Sequence, residues 1–96
     1  MNTEELIIVD LFCQECEIEI TQIQDLEAFG LIETVQYNEN KYFNKNQLAE
    51  IERILRLHNE LHINKEGIDV ILHLTEKLNQ LQSEVRYLKN RLDLYE

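Results

Sequence analysis

Apolar side chains return at helical spacing in four stretches of the chain and alternate like a strand in one. Leu6, Val9, Phe12, Cys13 and Cys16 lie three and four apart, the buried stripe of a short amphipathic helix over 6–16. A second helix is predicted to begin near Glu19–Thr21. There Thr21 and Gln24 fit a capping box, and Ile23, Leu26 and Phe29 form its stripe. Gly30 stands where a helix ends in a left-handed residue. Two short helices joined near Glu17–Ile20 make a helix-turn-helix unit. Leu31 to Tyr37 is β-branched and aromatic, Asn38-Glu39-Asn40 is a turn, and Lys41-Tyr42-Phe43 returns, which predicts a β-hairpin wing. Asn44 is a candidate N-cap, with Gln47 three residues on. The helix it opens has the stripe Leu48, Ile51, Ile54, Leu55, His58, Leu61 and His62.

The last segment is the most regular. Ile71, Leu74, Leu78, Leu81, Val85, Leu88, Leu92 and Tyr95 alternate spacings of three and four, a heptad seam with Ile71, Leu78, Val85 and Leu92 at a and the others at d. A single helix over 68–95 would be about 42 Å long at about 1.5 Å per residue. The residues before it are too few to cover that length, so the seam is expected to pair with a second copy. A parallel pair would set Glu84 against Lys89 and Arg91 against Glu96, and one antiparallel register would set Lys77 against Arg91. Exposed pairs of this kind are worth about 0.2–1 kcal/mol each, which leaves the orientation open. The expected organisation is a domain over 1–66 followed by a dimerisation helix over 67–96.

Charge changes the picture more than length does. The 96 residues carry 19 Asp and Glu against 9 Lys and Arg, a net charge of −10. Residues 1–40 hold ten of the acids and no base, while residues 41–96 hold nine of each. An acidic half repels a phosphate backbone and attracts basic protein surfaces. Glu15, Glu19, Asp25 and Glu27 are the candidate partner-binding carboxylates.

Composition excludes several other classes. There is no proline, and two glycines cannot make a phosphate-cradling GxxxxGK[ST] or GxGxxG loop. The longest apolar run, Leu6-Ile7-Ile8-Val9, is too short for a membrane span or a secretory core. The acidic Met1-Asn2-Thr3-Glu4-Glu5 is also unlike a signal peptide, so the expected compartment is the cytoplasm.

Two constellations invite a chemical reading. Cys13-Gln14-Glu15-Cys16 is a CxxC, and His58 and His62 lie one helical turn apart. A zinc finger of the compact kind spaces its pairs by about 12 residues, whereas 41 separate Cys16 from His58. Both cysteines fall on the apolar stripe, so buried thiols and core or boundary histidines are expected, with His73 solvated. Ser83 lies within the heptad stretch, and no nucleophile–base–orienter set is written in the chain. The expectation is a non-catalytic protein with no metal and no cofactor.

The order of elements, together with particular residues, resembles MerR-like winged-helix proteins. Ile18 through Ile23 and Leu26 to Gly30-Leu31-Ile32-Glu33 resembles that family's second helix with its terminal Gly-Leu. Tyr42-Phe43 resembles its aromatic wing strand, and Leu48, Ile51, Ile54 and Leu57 resemble its third helix. DNA-binding members carry Arg-Tyr-Tyr in the recognition helix and Gly-Tyr-Arg in the wing. Here those places read Gln24-Asp25-Leu26 and Asn40-Lys41-Tyr42. The chaperone-modulator (CbpM-like) branch of the superfamily is the better match. It is resembled in Phe12-Cys13, in the Arg-free second helix, in Asn64-Lys65-Glu66-Gly67-Ile68 and in the Leu-rich C-terminal helix.

The fold implied is mainly α, a MerR-like winged helix-turn-helix with a short β-hairpin wing and a long C-terminal coiled-coil helix. The function implied is binding the J-domain of a DnaJ-like co-chaperone and restraining its action with Hsp70. The alternative is a dimeric MerR-type transcriptional regulator. DNA is disfavoured as a partner because Lys41, Lys45, Arg53 and Arg56 would have to make every phosphate contact. A third possibility is a structural dimerisation module with some other partner.

Overall fold

A computed structural model describes residues 5–95, without the side chain of Tyr95. The chain divides into two units, 1–65 and 66–96. The first unit holds strand β1 (Leu6–Ile8), helix α1 (Val9–Cys16), helix α2 (Ile20–Phe29), strands β2 (Val35–Tyr37) and β3 (Asn40–Asn44), a 3₁₀ turn over Lys45–Gln47, and helix α3 (Leu48–Asn59). Helix α4 runs over Lys65–Tyr95. The architecture is mainly helical with a small antiparallel sheet, as expected of a MerR-like winged helix.

The wing has three strands, where the pattern predicts two. β3 is central, pairing Val35 with Tyr42 and Tyr37 with Asn40 on one side. On the other it pairs Leu6 with Asn44 and Ile8 with Tyr42. Leu6 to Ile8 is therefore a strand and not the first turn of a helix, and α1 begins at Val9. Helical spacing from Leu6 to Val9 is fortuitous, since pairing with β3 supplies the backbone partners that a first helical turn would lack. The strand before the turn is also shorter than the pattern suggests, because Leu31 to Thr34 lie outside it. The hairpin turns on two residues, Asn38 (φ 48°) and Glu39 (φ 68°). Two left-handed residues in succession match the right-handed twist of the flanking strands, as in a type I′ turn.

Helix ends are set by backbone more than by side-chain caps. α2 starts from Glu19 in extended conformation, and no side chain caps it. Thr21 instead turns its hydroxyl to Glu19 Oε2 at 3.4 Å, so the predicted Thr21–Gln24 box is not formed. Gly30 (φ 102°) does end α2, with Leu31 N–H bonding back to Leu26 O at 3.0 Å. That six-to-one bond is the mark of a Schellman termination, which favours glycine at the left-handed position. Asn44 closes β3 and precedes the 3₁₀ turn, so α3 begins at Leu48, later than expected.

The core of the first unit is built from Val9, Phe12, Cys13, Ile23, Leu26, Ile32, Phe43, Ile51, Ile54 and Leu55. Phe43 is fully buried and meets Phe12 edge to face, with ring centroids 5.2 Å apart. α3 stops at Asn59, and the following backbone turns through left-handed His62. Leu61 and His62 thus lie past the helix and are exposed, which removes them from the predicted stripe.

Candidate functional site

α1 ends at a tight corner that presents acids. Glu17 takes a left-handed conformation (φ 57°), and Ile18 N–H reaches back to Cys13 O at 3.0 Å. Only Glu17 to Glu19 separate α1 from α2, so the predicted helix-turn-helix corner is present. Glu15 on the last turn of α1 and Glu19 at the start of α2 are both exposed.

The two carboxylates on α2 have partners within the chain. Lys65 Nζ lies 3.0 Å from each oxygen of Asp25, and it also sits 5.5 Å above the ring of Phe29. Glu27 accepts a hydrogen bond from the Thr34 hydroxyl and another from Lys41 Nζ at 3.0 Å. The Thr34 hydrogen bond, joined by the Lys41 ammonium, holds the Glu27 carboxyl below its ordinary pKa despite some desolvation. Residues two apart on a helix point about 200° away from each other. The four predicted carboxylates therefore do not share one face. Glu15 and Glu19 flank the α1–α2 corner, Asp25 is tied to Lys65, and Glu27 clamps α2 to the wing. Sequence reasoning missed Thr34, Lys41 and Lys65 as partners, since 7, 14 and 40 residues separate them from the acids they meet.

The cysteines and histidines divide in the same way. Cys13 is buried, and burial, helped by nearby Asp10, pushes its thiol above the ordinary value. Cys16 is exposed, against the expectation of two buried thiols, because α1 ends at this residue and its side chain passes the edge of the core. His58 is half-buried, with Nδ1 at 3.2 Å from the Gln22 side-chain amide, which also donates to Asn59 Oδ1 at 2.6 Å. His73 is exposed, with Nδ1 3.5 Å from Asp69 Oδ1. Among the described residues no group of three His, Cys, Asp or Glu is placed to hold a metal ion. No helix among them is long and apolar enough to cross a membrane.

The positions read as a seam lie along one continuous helix, α4. Ile68 is buried, and Ile71 and Leu72 are half-buried. Leu74, Leu78, Leu81, Val85, Leu88 and Leu92 are each between 54% and 64% exposed. The side chain of Tyr95, the last predicted seam position, lies outside the described residues, as does Glu96.

Comparison with known proteins adds family relationships to this geometry. No solved structure matches the chain. A protein of Pseudomonas entomophila named chaperone modulatory protein CbpM is 28% identical over 95 residues, covering 96% of this chain and 94% of its own. The protein of that name from Pseudomonas putida is 27% identical with the same coverage. One from Escherichia coli is 27% identical over 85 residues, covering 88% of this chain and 84% of its own. Residues 7–90 match the family described as MerR HTH family regulatory protein, which spans both units. The relatives just described carry the name chaperone modulatory protein, and the chain itself belongs to the MerR HTH regulatory family.

Proposed function

We propose that this protein is a non-catalytic chaperone modulator of the cytoplasm. It binds the J-domain of a DnaJ-like co-chaperone, restrains its action with Hsp70, and works as a homodimer joined along 67–96. The carrying observation is the fate of the second helix of the helix-turn-helix. It has no Lys or Arg, and its two acids are held by Lys65 and Lys41. A helix of that kind brings no cation to a phosphate backbone, and Lys41, one of four bases a DNA reader would need, is already engaged with Glu27. The names of the relatives support a chaperone partner over a duplex.

Glu15 and Glu19 are the carboxylates we assign to direct pairing with the basic J-domain surface, while Asp25 and Glu27 are already paired with Lys65 and Lys41. Such charges chiefly raise the association rate and the specificity.

The test is an anisotropy titration of the protein into labelled J-domain at about 50 and 200 mM salt, with labelled duplex DNA alongside. Saturable J-domain binding that weakens with salt, and none to the duplex, is the expected result. Charge reversal in E15K/E19K should weaken binding more at the lower salt, where screening is least. Binding to duplex DNA without J-domain binding would overturn the reading in favour of the MerR-type regulator.

A further inference from the structure

The acids of the α1–α2 corner border a groove that the sequence does not announce. Its walls are Phe12, Cys16 and Ile18 on one side and, on the other, Glu52, Leu55, Arg56 and Asn59 of α3 with Glu60 just past its end. Phe12 and Leu55 are core residues that show only an edge, and Ile18 is half-buried between helices. The floor is narrow, its apolar part being the edges of Phe12 and Leu55 beside Ile18, with polar side chains around them. Glu52 on α3 and Glu60 just past its end stand about two turns apart, and both are exposed. Glu15 and Glu17 flank Cys16 in the chain at the opposite wall. Arg56 is the only base among the groove residues, and it makes no ion pair with Glu52 or Glu60 among the described residues.

We propose that this groove between α1 and α3 docks a basic amphipathic helix of a partner protein. The apolar stripe of that helix would lie on Phe12, Ile18 and Leu55, and its Lys and Arg side chains would meet Glu52 and Glu60. A helix laid in a groove takes its affinity from the apolar anchors and its specificity from complementary rim charge. The recognition helix α2 cannot do this work, because Asp25 and Glu27 already have cations. The acids at the groove have none within the described residues, so they are the carboxylates free to accept a partner's bases. The proposal rests on the chaperone-modulator reading for its natural occupant, since a J-domain offers such a helix, yet it can fail separately from it.

Cys16 supplies the readout. It lines the groove and is exposed, whereas Cys13 is buried with a raised thiol pKa, so alkylation near neutral pH reports on Cys16 alone. The alkylation rate of the full chain is measured free, with saturating J-domain, and with a synthetic Lys/Leu amphipathic helix. Binding of each is followed by anisotropy on wild type and on E52K/E60K. The expected result is slowing of Cys16 alkylation by about tenfold or more, together with a loss of affinity of similar size in E52K/E60K at low salt. Saturable J-domain binding with unchanged alkylation and an unaffected E52K/E60K would overturn the groove and leave the partner standing. Protection by the synthetic helix without J-domain binding would uphold the groove and overturn the partner. Protection by neither probe would overturn the groove.

Discussion

Glu27 is the side chain on which the packing of helix against wing turns. It receives Thr34 and Lys41 together, and its carboxyl titrates below the ordinary range as a result. A carboxyl with a depressed folded-state pKa contributes stability that is present above its unfolded pKa and disappears as pH falls through the folded value. Thermal unfolding followed from pH 7 downward should therefore show an acid-side loss of midpoint, and E27Q should flatten that limb. An acid limb identical in E27Q and wild type would remove Glu27 from this role.

The turn residue Glu39 makes an opposite prediction. It sits at φ 68°, where a side chain is disfavoured and glycine is not. E39G should raise unfolding free energy by about 1 kcal/mol, in spite of glycine's greater freedom in the unfolded chain. Chemical denaturation of the two proteins side by side decides the sign.

Among the elements, those held by local pattern are legible in the sequence. α4 follows from its spacing of three and four, and the end of α2 follows from Gly30, because both signals lie within a turn or two of the residues they govern. β1 was not legible. Three apolar residues continuous with a helical stripe become a strand only because β3, more than thirty residues on, takes them as an edge. Separation along the chain also hid the Lys41–Glu27 pair, 14 residues apart, the Lys65–Asp25 pair, 40 apart, and the groove, whose two walls come from residues 12–18 and 52–60.

That dependence on β3 gives the element its own test. Phe43 is wholly buried at the centre of the sheet and edge-on to Phe12. F43A should cost about 3–5 kcal/mol, a large part of what a small domain has. A loss under about 1 kcal/mol by urea titration would mean that the sheet is peripheral to the core of the first unit.

Charge and apolar surface are partitioned along the chain in a way that bears on assembly. Residues 66–96 carry six acids against four bases and are nearly neutral, while residues 1–65 carry thirteen acids against five. The seam from Leu74 to Leu92 thus lies where two copies repel each other least. A helix of 31 residues whose six seam side chains from Leu74 to Leu92 are each more than half exposed is not held by its own propensity alone in water. Pairing with a second copy would cover those side chains.

If it does, folding is linked to association, and the unfolding midpoint rises with protein concentration by mass action. Wild type should show that rise, sedimenting as a dimer at micromolar concentration. L81D, which places a charge in the middle of the seam, should sediment as a monomer and lose the concentration dependence, while E15K/E19K should keep it. Added salt should tighten wild-type association modestly by screening the acidic units from one another. A wild-type midpoint independent of concentration, with monomeric sedimentation, would break the link between seam and dimer and leave the exposed leucines for a different protein to cover.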